Sequence, residues 1–119
     1  MAESIARDKS KTFALRIIRL YKHLYNEKNE YTMSKQLLRC GTSIGANISE
    51  AEYSMSKREF IAKMNISLKE AAETEYWLEI LHDSEYITDK EYSSIMEDCK
   101  EILSLLVSII KTANENLKK

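Results

Sequence analysis

Residues 32–51 read TMSKQLLRCGTSIGANISEA, and the spacing inside that stretch decides the fold. Leu37, Gly41, Ile44, Ile48 and Ala51 follow one another at steps of four, three, four and three. That repeat lays a seam along one face of an α-helix, as in a helical bundle. Thr32, just ahead of the seam, can cap the helix by accepting from a free backbone N–H of its first turn.

The same reading extends in both directions. Upstream, Ala6, Phe13, Ile17, Leu20 and Leu24 recur at three-, four- and seven-residue steps and predict a helix from about residue 3 to 28. Downstream, Ser56-Lys57-Arg58-Glu59 is a capping box that opens a third helix through about Asp83. Thr88-Asp89-Lys90-Glu91 repeats the device. It opens a fourth helix, carrying Ile95, Ile102, Leu106, Ile109 and Ala113 to about residue 117. Long helices joined by short connections must run antiparallel to their sequence neighbours. The expected fold is therefore all-α, an up-down-up-down antiparallel four-helix bundle, with residues 1–119 forming one domain.

Composition agrees with that pattern. Two Gly and no Pro among 119 residues leave too few turn formers for a sandwich, a barrel or a glycine-rich phosphate loop. Eighteen Lys+Arg against nineteen Asp+Glu give a net charge of −1, so the whole molecule exerts little pull on nucleic acid or membranes. The charge is unevenly spread. Residues 1–39 hold nine basic and four acidic side chains, whereas residues 40–119 hold nine and fifteen. The opening MAESIARDKSK lacks the apolar core of a secretory signal, and the longest apolar run, Leu105 to Ile110, already contains Ser108. A cytoplasmic location without a membrane partner is the expectation, with Cys40 and Cys99 reduced inside helices.

Catalytic and metal chemistry lack parts. A di-iron bundle needs two Glu-x-x-His pairs. This sequence offers one, Glu79 with His82, because His23 has no carboxylate three residues earlier. Zinc would have to gather two Cys and two His from separate helices. Ser54-Met55-Ser56-Lys57 is a Ser-x-x-Lys without its companion motifs. No enzyme and no cofactor are expected; a small-molecule- or metal-binding bundle stands as the rival reading.

Four groups of residues call for another explanation. Arg39, Ser43, Asn47 and Glu50 share one face of the second helix, away from its apolar seam, and suit a polar network to a neighbouring helix or subunit. Gly41 and Gly45 each cost about 1 kcal/mol relative to Ala in a helix interior, which close approach of another backbone would offset. On the fourth helix apolar side chains spread around most of the circumference, so Leu103, Val107 and Ile110 are a candidate oligomer interface. On the first, Leu15 and Ile18 are ringed by Arg7, Lys11, Arg19 and Lys22, a candidate patch for an acidic or nucleic-acid partner.

Leu38-Arg39-Cys40-Gly41-Thr42-Ser43-Ile44-Gly45-Ala46-Asn47-Ile48-Ser49-Glu50-Ala51, followed by Ser56-Lys57-Arg58-Glu59-Phe60-Ile61, resembles the hallmark of a bacterial family. Its members are four-helix bundle proteins first known from intervening sequences of 23S ribosomal RNA. The family also includes the accessory variability determinant of diversity-generating retroelements. The run Ser67 to Leu78, with its Trp77-Leu78 pair, is similar to one branch of it. The resemblance implies a ring-shaped homopentamer with no catalytic site, and it suggests RNA, DNA or a nucleic-acid-binding protein such as a reverse transcriptase as further partners. Together these readings predict a non-enzymatic, homo-oligomeric adaptor or structural protein.

Overall fold

The computed structural model describes residues 2–118 and consists of four helices with no strand among them. They are α1 (Ala2–Asn26), α2 (Met33–Ala51), α3 (Lys57–Asp83) and α4 (Asp89–Lys118). Each helix packs on its sequence neighbour, and α1 returns to α4 to close the bundle, while the diagonal pairs α1/α3 and α2/α4 stay apart. Among the described residues no helix is long and apolar enough to cross a membrane.

The core is filled by the residues that set the helical periodicity. Phe13, Ile17 and Leu24 of α1 meet Leu37, Ile44 and Ile48 of α2, Met64, Leu78 and Leu81 of α3, and Ile102 and Leu106 of α4, all of them essentially fully buried. Burying one such side chain stabilises the fold by about 1.5–3 kcal/mol. Cys40 and Cys99 are free and buried within this core, and burial pushes the Cys99 thiol up to about 12.

Local hydrogen bonds fix where the helices begin. The Ser56 hydroxyl accepts from the Glu59 N–H at 3.1 Å, and the Glu59 carboxylate accepts in return from the Met55 N–H at 2.9 Å. At α4 the Thr88 hydroxyl accepts from the Glu91 N–H at 3.1 Å while the Glu91 carboxylate accepts from the Thr88 N–H at 2.8 Å. That reciprocal bond holds the Glu91 carboxyl below the usual carboxylate range.

The start of α2 differs from the sequence reading. Thr32 makes no side-chain cap. The chain turns through Asn29 in the left-handed region (φ 54°) and folds Glu30 beneath the helix end. Its buried carboxylate accepts from the Ser34 N–H at 2.7 Å, and the Ser34 hydroxyl donates back to the Glu30 carbonyl at 2.7 Å. A full negative charge beside the helix N-terminus is better placed than a hydroxyl would be, because it also faces the positive end of the macrodipole.

Candidate functional site

The polar row of α2 divides into ends that reach α3 and a middle that does not. Arg39 pairs with Glu73 and, at 3.2 Å, with Glu70; Glu50 accepts from Lys63 at 2.9 Å. Ser43 instead donates to its own helix at the Arg39 carbonyl (2.6 Å), and the Asn47 amide donates to the Ser43 carbonyl (2.8 Å). Of the row expected to bond to a neighbouring helix or subunit, Ser43 and Asn47 do not reach another helix of this chain. Four residues of helix separate each from its acceptor, which is the local alternative that Ser and Asn side chains take readily.

The Arg39 end belongs to a network that the sequence reading missed. The Trp77 indole N–H donates to the same Glu73 oxygen that Arg39 holds, at 3.0 Å. Arg39 first and Trp77 second keep the Glu73 carboxyl below the usual carboxylate range. The visible signal was the four-residue step from Glu73 to Trp77, which puts the two on one helical face.

Close approach accounts for both glycines. A Cβ added at Gly41 would lie 2.8 Å from Cγ1 and Cγ2 of Ile17, and one at Gly45 would lie 3.3 Å from the Ser10 Cβ. The bare backbone of α2 therefore sets how near α1 can come.

The α4 surface is smaller than its sequence suggests. Ile110 is buried in the core and is not a free interface residue, while Leu103 is half-buried and packs against that core. Val107, 54% exposed, is left outward. Because α4 lies in the angle between α3 and α1, two of its sides are consumed by one bundle, which absorbs a broader apolar arc than a single stripe.

On α1, Leu15 is half exposed and Ile18 partly so. Arg7 is engaged by Glu52 at 2.8 Å and by Asp8. Among the described residues, Lys11, Arg19 and Lys22 meet no carboxylate within ion-pair distance. Inward of this face, Arg16 reaches Asp98 at 2.6 Å and the Ser94 hydroxyl at 2.9 Å, and Lys9 reaches Glu101 at 3.2 Å, so charge bridges α1 to α4.

The single Glu-x-x-His is not assembled as a ligand pair. The His82 ring contacts Asp89 at 2.6 Å and Asp83 at 3.1 Å and stacks on Tyr92, with ring centroids 4.3 Å apart. Asp89, then Asp83, raises the His82 pKa by holding its charged form. No group of three or more His, Cys, Asp or Glu side chains positioned to hold a metal ion occurs among the described residues.

Comparison with known proteins follows the same outline. The family described as 23S rRNA-intervening sequence protein matches residues 2–108. A crystal structure of a protein with unknown function from the S23 ribosomal protein family of Bacteroides thetaiotaomicron VPI-5482 superposes with a TM-score of 0.92 at 59% identity, covering 93% of this chain and 99% of that one. No curated protein matches.

Proposed function

The chain belongs to the 23S rRNA-intervening sequence protein family, and from that premise we propose that it is a non-enzymatic helical adaptor that assembles with copies of itself. The observation that carries this reading is the outward apolar side chains. Leu15, Ile66, Tyr76 and Val107 are each roughly half exposed, and they lie on three different helices. Scattered single exposures are ordinary, but rows flanked by charge, on a rigid scaffold, are how protein surfaces are built for partners. A ring of five, which the family resemblance implies, would cover such rows at every joint. Each specific joint needs roughly 1,000 Å² or more of buried surface.

Light scattering on the purified protein tests the assembly. A mass several-fold above the 13.9 kDa of one chain is expected at micromolar concentration, and a monomer at every concentration overturns the proposal. A second reading, contact with ribosomal RNA, draws on the unpaired Lys11, Arg19 and Lys22. It requires a gel shift whose affinity falls steeply with salt. No shift at low salt and tens of micromolar protein removes it.

A further inference from the structure

Two outward rows of this bundle match each other better than either matches solvent. On α1, Lys11, Leu15, Ile18 and Lys22 follow steps of four, three and four, placing an apolar centre between two cations. On α3, Ala72, Tyr76, Glu79 and Asp83 follow the same steps, placing an aromatic centre beside two carboxylates. Leu15 is 49% exposed and Tyr76 54%.

The surroundings amplify both signs. Residues 7–28 carry seven Lys+Arg and two acids, whereas residues 70–89 carry seven Asp+Glu and no Lys or Arg. Lys11 and Lys22 have no carboxylate partner among the described residues, Glu79 has no cation, and Asp83 meets only His82 of its own turn. Because α1 and α3 are diagonal, with no close backbone approach, and their charged rows face outward, one copy does not neutralise its rows internally.

We propose that the basic row of α1 in one copy docks on the acidic, tyrosine-centred row of α3 in the next. This rests on the self-assembly argued above and names the surfaces that perform it. The contact joins different faces, so it is heterologous: every copy gives one row and receives another, and the assembly closes into a ring or runs on as a chain. Opposite net charge on the two faces speeds encounter and favours this pairing over like-with-like, while Leu15 and Tyr76 lose water at the middle. A nucleic acid would answer the α1 row alone and leave the α3 row without a partner.

Charge reversal on each row, measured by light scattering with circular dichroism as the check on folding, decides the matter. Lys11→Glu/Lys22→Glu and Glu79→Lys/Asp83→Lys should each weaken association at least tenfold and bring the mass toward one chain. An equimolar mixture of the two should associate again, well above the mass of one chain, because the rows are opposite in sign wherever unlike variants meet; alternation closes only in even-membered rings or runs on as open chains. Should either variant fail to fold, the wild-type protein supplies the second measurement. Its association must weaken as salt rises from about 50 to 500 mM, where screening shortens from above 10 Å to a few Å. An assembled wild type whose mass survives both reversals and high salt overturns the α1–α3 contact while leaving self-assembly standing. A mixture that stays monomeric also overturns it. A monomeric wild type overturns both proposals, and if that monomer shifts ribosomal RNA at low salt the α1 row belongs to nucleic acid.

Discussion

Helix α1 meets its two neighbours in opposite ways. Against α2 it packs over Gly41 and Gly45, with Ile17 and Ser10 seated on bare backbone and little room for another atom. Against α4 it has fewer close approaches, and Arg16 and Lys9 cross to Asp98, Ser94 and Glu101 instead. One seam is defined by volume and the other by reach. A volume-defined seam fixes distance and resists any added atom, because a packed interior has no slack. A seam bridged by long side chains tolerates changes in spacing and holds less energy.

The sharpest way to break that contrast is to put bulk at Gly41. Gly41→Leu drives side-chain atoms into the branched end of Ile17, which is stiff about its first torsion. Overpacking should cost about 1–3 kcal/mol, a fall in Tm of several degrees or more in thermal circular dichroism. A variant melting with the wild type would show that α1 moves aside freely, and the seam would not be volume-defined. Gly45→Ala meets a looser contact, the Ser10 Cβ at 3.3 Å rather than 2.8 Å, and the gain of about 1 kcal/mol in helix propensity should leave its Tm close to that of the wild type.

On the other seam, Arg16→Ala removes the bonds to Asp98 and Ser94, and the expected loss is about 1 kcal/mol or less because the pair is partly solvated. The loss should shrink further in high salt. An effect as large as that of Gly41→Leu would mean that reach and volume contribute alike, and the comparison would fail.

A smaller effect distinguishes the α3–α4 turn, which is tied by charge as the α1/α4 seam is. His82 has a raised pKa in the folded state, so its contribution is fully present below its ordinary value of about 6.5 and is lost as pH rises through the folded value. Denaturation followed across that range should show a small decline that His82→Gln abolishes. Equal pH profiles for the two proteins would exclude His82 from stabilising the turn. Glu73 runs the other way: its pKa is lowered, so what it contributes is present above the ordinary carboxylate value and fades as pH falls through the folded one.

The smallest change is expected at Asn47. Its amide bonds only to the Ser43 carbonyl of its own helix, so Asn47→Leu should alter stability by less than about 0.5 kcal/mol. A loss of 1–3 kcal/mol would instead mean that it serves a partner outside this chain, as the sequence reading of the row supposes.

How much of this was legible depended on whether the physics was local. The seam of α2 and the caps at Ser56 and Thr88 could be read, since each is set by residues within one or two helical turns. The cap of α2 could not, because Asn favours the left-handed reversal at position 29 but nothing local says that Glu30 is then buried under the helix end. Ile110 was misassigned for a related reason. Apolar residues around a helix say that it is covered on several sides without saying whether by this chain or another. The Glu73–Trp77 step is visible within α3, but the placement of Arg39 against it needs the tertiary pairing of α2 with α3, which no spacing in either helix contains.

The α1/α4 seam also differs in what it asks of the folding chain. Each of the other three seams joins helices linked by a short turn, whereas the bonds of Arg16 and Lys9 tie residues 82 and 92 positions apart. Closing so long a loop costs entropy that the helical hairpins never face. The hairpins can form early and independently, and the seam shuts last, with its polar bridges providing little of the nucleus. In the finished molecule the order reverses. Parting of α1 from α4 is the least costly excursion and bares Phe13 and Ile102 to water while the three hairpins hold. Amide exchange should therefore report a low-energy opening at this edge, distinct from global unfolding.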